Sequence, residues 1–178
     1  QGRLVEAQAS CLAALKIRPD YAEAHSNLLF CLNYTASELP ADCLAEARRY
    51  GAMLAAQVVP FARWRCAAQP ARLRVGLVSG DLRSHPVGYF LEGLLRHLDP
   101  ARIELIAYTN DRRSDELTAR IRPCFAAWKD LTGLDDEAAA ALVHDDGIHL
   151  LLDLSGHTAK HRLPVFARKP APLQVSWL

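Results

Sequence analysis

The sequence predicts the end of a helical repeat followed by an α/β unit with a parallel sheet, and three observations carry that expectation. Gly2 to Leu28 has small residues, leucines and a proline at the spacing of paired helices. Leu73 to Leu98 reads as strand, tight loop and helix. Beyond it, short apolar runs alternate with helix-period stretches as far as Leu178, as successive βα units do.

Within the first stretch, Gly2, Glu6-Ala7, Ala14-Leu15, Pro19, Ala22, Ala24 and Asn27-Leu28 fall where a tetratricopeptide unit of roughly 34 residues places them. Alanines at crossing points let two helices approach and leucines fill between them. Pro19 stops the first helix before Asp20 opens the second. Cys11 stands where such repeats carry Tyr. A lone repeat cannot bury its own apolar face, so this fragment is expected to end a solenoid lying upstream. An unrelated helical hairpin is the other reading. Ser37-Glu-Leu-Pro40 breaks the pattern, and Ala41 to Val58 resumes as an alanine-rich helix. Pro60 to Pro70, with Phe61 and Trp64, reads as an irregular connector packed against something. The expected divisions are residues 1–36 as the solenoid end, 37–70 as linker helix and connector, and 71–178 as an incomplete α/β lobe.

Leu73, Val75, Leu77 and Val78 make the first strand. Ser79-Gly80-Asp81 end it, Gly80 for its backbone freedom and Asp81 because it competes for backbone donors. Pro86 suits the first turn of a helix, and Val87, Phe90, Leu91, Leu94, Leu95 and Leu98 then recur at helical spacing. Asp99-Pro100 stops that helix. Ile103 to Asn110 alternates as a second strand. Ser114 is the expected N-cap of a helix carrying Leu117, Ile121 and Phe125, which Pro123 ends or kinks. Trp128 to Leu131 is a short third strand. Leu134 to His144 is a helix with acidic residues in its first turn, where the helix dipole favours them. Ile148 to Leu154 has the near-continuous apolar run of a strand buried on both faces, and Ser155-Gly156-His157-Thr158 closes it. Leu163 to Ala167 is a further helix, and Pro170 to Leu178 opens another strand.

The 178 residues are 51% hydrophobic and 23% charged with a net charge of +1, an ordinary globular balance. Near-neutrality without a basic run argues against a nucleic acid or an anionic membrane as partner. No apolar stretch reaches the roughly 20 residues of a membrane helix. No signal-peptide pattern opens the chain, and Gln1 in place of Met reads as a start inside a longer one. Five cysteines, with no C-x-x-C pair, support neither a disulfide framework nor a zinc site. Buried thiols in a reducing cytoplasm are expected.

Parallel strands bring Gly80–His85 and Asp153–His157 to one sheet edge, where ligands of such folds bind. A helix beginning near Pro86 offers free N–H groups and a partial positive charge there. That field would keep the His85 imidazole neutral, as a general base needs. Substrate contact or catalysis by His85 competes with simple capping of its own helix. His157 is either a substrate ligand or a loop hydrogen-bonding group. Asp81 and Asp153 could orient an imidazole or bond loop amides. His149 begins its strand, at the wrong edge, and reads as structural. His144 and His161 adjoin no strand end, and His25 and His97 lie on helices. Gly76-Leu-Val-Ser-Gly80 is not G-x-G-x-x-G, and neither a P-loop nor a G-x-S-x-G elbow occurs. His157 and His161 are four apart without a third ligand, so no metal is expected.

Three segments together resemble the O-GlcNAc transferase family, the SPINDLY-type or family 41 glycosyltransferases. They are Leu73-Arg-Val-Gly-Leu-Val-Ser-Gly-Asp-Leu-Arg-Ser-His-Pro86, Asp146-Gly-Ile-His-Leu-Leu-Leu-Asp-Leu-Ser-Gly-His-Thr158 and Arg168-Lys-Pro-Ala-Pro-Leu-Gln-Val-Ser-Trp-Leu178. The resemblance covers the whole chain, and the tetratricopeptide end before the motifs agrees with it. It implies a GT-B architecture of two Rossmann-like lobes. This chain would hold the solenoid end and the first part of the N-terminal lobe, with the missing C-terminal lobe as its partner.

It further implies a cytoplasmic, inverting transfer of GlcNAc from UDP-GlcNAc to Ser or Thr of a protein or peptide acceptor, with no metal or other cofactor. The family's His-Pro histidine, proposed as the base, maps onto His85. Whether His85 is the base or only orients substrate stays open, because the hydroxyl proton could pass to the leaving phosphate. A second family histidine maps onto His144. Many relatives carry Tyr in place of His157. Gly80, Asp81, Pro86, Gly156, His157 and Thr158 are the implied substrate-binding positions. Since nucleotide binds mainly to the second lobe, these residues alone are expected to be inactive. The alternatives are a protein O-fucosyltransferase using GDP-fucose and a non-catalytic tetratricopeptide scaffold with an inert transferase-like domain.

Overall fold

The computed structural model describes residues 2–35 and 40–177. It divides into two compact units, Gln1–Val59 and Pro60–Leu178. Of the expected break at Ser37–Pro40, only Pro40 lies among the described residues, and it opens a helix.

The first unit holds α1 (Leu4–Ile17), α2 (Ala22–Leu32) and α3 (Pro40–Ala56). Pro19 and Asp20 form the turn between α1 and α2, and Tyr21 rather than Asp20 is the N-cap of α2. α2 packs against both neighbours and buries Ala24, Leu28, Leu29, Cys31 and Leu32. α1 buries none of its residues, and Val5, Leu12 and Ile17 stay exposed. That asymmetry is what helices stacked one deep must show. His25 is 2% exposed and ties α2 to α3 and to the turn before α2. Its Nδ1 pairs with Glu46 of α3, and its Nε2 lies 2.8 Å from the Pro19 carbonyl. Glu46, itself buried, also takes the Arg49 guanidinium. A buried ion pair is tolerated when its remaining valences are hydrogen-bonded, as here. All five cysteines are free thiols, but only Cys31 is buried and Cys124 is exposed. The expectation of buried thiols therefore holds for one of them.

The second unit runs β1 (Leu73–Ser79), α4 (Pro86–Leu95), β2 (Ile103–Thr109), α5 (Glu116–Ile121), β3 (Ala127–Asp130), α6 (Asp136–Asp145), β4 (Leu150–Asp153), α7 (Leu163–Ala167) and β5 (Leu173–Ser176). All strand pairs are parallel, in the order β3-β2-β1-β4-β5. β1 pairs with β2 from Leu73 opposite Ile103 to Ser79 opposite Thr109. Its other side meets β4 from Val75 opposite Leu150 to Val78 opposite Asp153. Side chains alternate between two buried faces, as a doubly covered parallel sheet requires. Val75, Leu77, Leu105 and Ala107 pack with Leu91 and Leu95 of α4 and Leu117 and Ile121 of α5. Val78, Ile106, Tyr108 and Leu151 pack with Ala139, Ala140 and Val143 of α6 and Val165 of α7. The chain thus winds outward on one face, returns on the other, and reverses between β1 and β4. That reversal is the crevice where such sheets bind ligands.

Several boundaries differ from the sequence reading. Asp115, not Ser114, caps α5. Its carboxylate accepts the Thr118 N–H at 3.0 Å, completing a capping box that a serine one residue earlier cannot reach. Pro123 ends the α-helix by diverting the chain into a 3₁₀ turn at Arg122–Cys124. α6 starts at Asp136 with Asp135 as cap rather than at Leu134. β4 is shorter than Ile148–Leu154, because the His149 ring, not a backbone carbonyl, takes the Arg74 N–H at 3.0 Å. The Pro60–Pro70 connector belongs to this unit. Phe61 N–H donates to the Arg168 carbonyl at 2.8 Å, and Trp64 Nε1 donates to the Lys169 carbonyl at 2.8 Å. Among the described residues, no helix is long and apolar enough to cross a membrane.

Candidate active site

The ends of β1 and β4 flank the β1/β4 crevice, and each is followed by a loop tied to its neighbours. After β1, Ser79 Oγ accepts the Asp81 N–H at 3.0 Å. α5 braces the same loop: Thr118 Oγ1 donates to the Leu82 carbonyl at 2.9 Å, and Asp115 accepts the Ser84 N–H at 2.7 Å. Those amides, Ser84 first and Thr118 second, hold the Asp115 carboxyl down at about 2.

The loop delivers His85 as an extended N-cap of α4, with Pro86 in the first turn. Val87 N–H donates to His85 Nδ1 at 3.3 Å. Asp81 Oδ2 stands 3.9 Å from the same nitrogen, and Asp81 Oδ1 accepts from Arg83 at 2.9 Å. The imidazole is 37% exposed, so it caps the helix and still faces solvent. With Nδ1 accepting, the proton of a neutral ring sits on Nε2, which makes that atom a donor. Proton acceptance at Nε2 needs the proton on Nδ1, and Asp81 is the carboxylate within reach to hold it there. The two neighbours of one nitrogen thus correspond to the two roles left open from sequence.

After β4, Asp153 is 1% exposed and bonds loop groups rather than an imidazole. It accepts the Ser155 and Gly156 N–H groups at 3.1 and 2.9 Å and the Ser176 hydroxyl at 3.1 Å. Burial nonetheless pushes its carboxyl above the usual range. Gly156 turns the chain at φ +52°, a conformation that costs side-chain-bearing residues strain. Thr158 Oγ1 donates to the Ser155 carbonyl at 2.6 Å and closes the turn.

Gly80 does not owe its identity to backbone freedom, because its φ is not in the left-handed region. A Cβ there would lie 3.3 Å from Lys160 Cβ, so the loop after β4 crosses directly over the end of β1. The two motif loops therefore form one surface.

The profile of glycosyl transferase family 41 matches residues 36–178, which include both loops and the whole sheet. The chain belongs to that family. Over 169 residues it is 34% identical to the probable UDP-N-acetylglucosamine–peptide N-acetylglucosaminyltransferase SPINDLY of Arabidopsis thaliana, covering 92% of this chain and 18% of that protein. It is 32% identical over 111 residues to the UDP-N-acetylglucosamine–peptide N-acetylglucosaminyltransferase of Caenorhabditis elegans, covering 60% of this chain and 10% of that protein. Among solved structures, a mutant O-GlcNAc transferase of Thermobaculum terrenum superposes with a TM-score of 0.90 at 43% identity, over 99% of this chain and 34% of that one. The chain thus spans about a fifth of the SPINDLY relative's length. The helices and the parallel sheet correspond to the matching part of that bacterial transferase, as the GT-B expectation requires.

Within this family 41 chain, seven of the eight sequence-derived positions share the carboxyl edge of β1 and β4 or lie in the His85–Pro86 turn itself. They are Gly80, Asp81, Gly156, His157 and Thr158 around His85, with Pro86 setting the helix start. His144 is not brought there. It ends α6 at the amino edge of the sheet, its ring stacked on Phe61 at 4.0 Å and its Nε2 2.9 Å from the Arg63 carbonyl.

Sequence reasoning missed the group that locks the loops together. Arg113 Nε and Lys160 Nζ each approach Asp111 Oδ2 at 2.8 Å, and Asn110 Nδ2 donates to the Lys160 carbonyl at 3.0 Å. These contacts, Arg113 first, hold the Asp111 carboxyl well below the usual range. The available signal was a polar run directly after the second strand, at the edge already identified.

His157 is half-buried, and burial followed by the repulsion of nearby His161 pushes its imidazole down to about 4. An unfolded chain protonates this group near 6.5, whereas the folded chain resists until about 4. Its contribution to stability is therefore present above 6.5 and lost as pH falls toward 4. Asp153, with a raised carboxyl, acts in the opposite sense. His157→Gln is expected to flatten the acid side of the stability curve, measured by denaturant unfolding across that window. An acid limb as steep as that of the parent would contradict this assignment.

Proposed function

We propose that the protein carrying this chain transfers GlcNAc from UDP-GlcNAc to Ser or Thr hydroxyls of polypeptides, without a metal. The observation that carries the reading is His85, a solvent-facing imidazole at the β1/β4 crevice with a carboxylate beside one ring nitrogen. Family membership supports the reaction class, and the names of the plant and nematode relatives support the donor and the peptide acceptor. In this reading α1 and α2 end a tetratricopeptide solenoid, the protein works in the cytoplasm, and a second lobe supplies most of the nucleotide site. Gly80, Asp81, Pro86, Gly156, His157 and Thr158 line the acceptor side of the reaction. His144 serves the fold of the connector rather than the chemistry, through Phe61 and Arg63.

The test is transfer by the full-length protein to a serine peptide from labelled UDP-GlcNAc and GDP-fucose, each with and without EDTA. Incorporation from UDP-GlcNAc that survives EDTA is expected. Turnover with GDP-fucose alone would overturn the donor, loss on chelation would overturn metal independence, and incorporation from neither would favour an inert scaffold.

A further inference from the structure

Between α5 and the ends of β2 and β3 lies a cavity of about 210 Å³ that the reaction as described does not use. Three of its walls are arginines: Arg112, Arg113 and Arg122. Its two carboxylates are already engaged, Asp130 by Arg112 at 2.8 Å and Asp111 by Arg113 and Lys160. Among the described residues, Arg122 pairs with no carboxylate. Its guanidinium sits 5.4 Å from the centroid of Trp128, another wall of the same cavity. Three arginines against two aspartates leave an excess positive charge, and a guanidinium steadied by an aromatic face keeps its donors for an incoming anion.

Position decides which anion. The cavity lies at the β3/β2 gap, two strand spacings from the β1/β4 crevice, or roughly 10 Å. The donor's diphosphate is bonded to the transferred carbon itself and cannot stand that far from it. An extended acceptor chain rises about 3.3 Å per residue and covers the distance in about three residues. We infer that this arginine-lined cavity seats an acidic side chain of the acceptor polypeptide, about three residues from the modified hydroxyl. The inference rests on the transferase reading above and adds a sequence preference to it.

The test uses the full-length protein with UDP-GlcNAc and peptides differing only in Ala, Glu or Lys three residues to either side of the acceptor serine. For one of the two sides, kcat/KM for the Glu peptide is expected to exceed that for the Ala peptide about three- to tenfold, with Lys below Ala. The preference should shrink with added salt. Arg122→Gln should bring the peptides together, and Arg122→Glu should invert the order, which a folding defect cannot mimic. Equal kcat/KM for all three peptides would overturn the inference while leaving the transferase reading intact. So would an Arg122→Glu variant that raised the KM of UDP-GlcNAc equally with every peptide, since the anion bound would then be the donor. Absence of transfer to every peptide would overturn the transferase reading, and the acidic subsite with it.

Discussion

Gly88→Ala is expected to destabilise the α/β unit by about 3 kcal/mol, the upper range of what overpacking a close contact costs. A Cβ at this position would stand 2.1 Å from the Arg83 carbonyl oxygen and 2.9 Å from Leu117 Cδ2. Leu117 could yield, but the carbonyl cannot. Its loop is held at Leu82 by Thr118, at Ser84 by Asp115, and at His85 by the first turn of α4. Relief would require lifting α4 off the sheet, where Leu91 and Leu95 are buried. Ordinarily the same substitution inside a helix gains up to about 1 kcal/mol, so the sign is diagnostic. Gly93, one turn and a half along α4 with nothing within 4 Å of its Cβ position, is the matched control. Denaturant unfolding should show Gly93→Ala at or above parental stability and Gly88→Ala far below it. Equal stability of the two variants would mean that the loop carrying His85 is not clamped as described.

His85→Asn is expected to lower kcat by about 10² to 10⁴ while leaving stability within about 0.5 kcal/mol of the parent. Asparagine is among the best N-caps, and its side-chain oxygen can take the Val87 N–H that His85 Nδ1 accepts in the parent. It cannot accept and return a proton at neutral pH. The substitution therefore separates capping from proton chemistry, which His85→Ala would remove together. Peptide glycosylation by the full-length protein and denaturant unfolding are the two measurements. A rate within a few-fold of the parent would reduce His85 to a cap, and the proposed chemistry would lose its central group.

The β1 motif loop was legible because its signals are local. Pro86 at a helix start, His85 at the cap and the burial of Leu91 and Leu95 in α4 follow from spacing alone, whereas Phe90 and Leu94 of the expected stripe stay exposed. The same holds for the apolar run that became β4 and for Gly156, whose left-handed backbone sits at a strand end. The capping of α5 was misplaced by one residue. Ser114 and Asp115 are both competent caps, and what chose between them was the Ser84 amide, which Asp115 also satisfies.

By itself the chain's residue order determined which segments would be strands and helices, that the sheet would be parallel, and that His85 would emerge at its carboxyl edge. Those outcomes depend on interactions within a few residues and on the burial pattern of each strand. Only the tertiary structure decided why Gly80 is glycine, what Asp153 bonds, where His144 lies, and that Asp111 gathers Arg113 and Lys160. The deciding contacts join groups tens of residues apart: Gly80 with Lys160, Asp153 with Ser176, His144 with Phe61, and Asp111 with Lys160. Their meeting is set by strand order, by the reversal between β1 and β4, and by which loop crosses which, none of which any local spacing encodes.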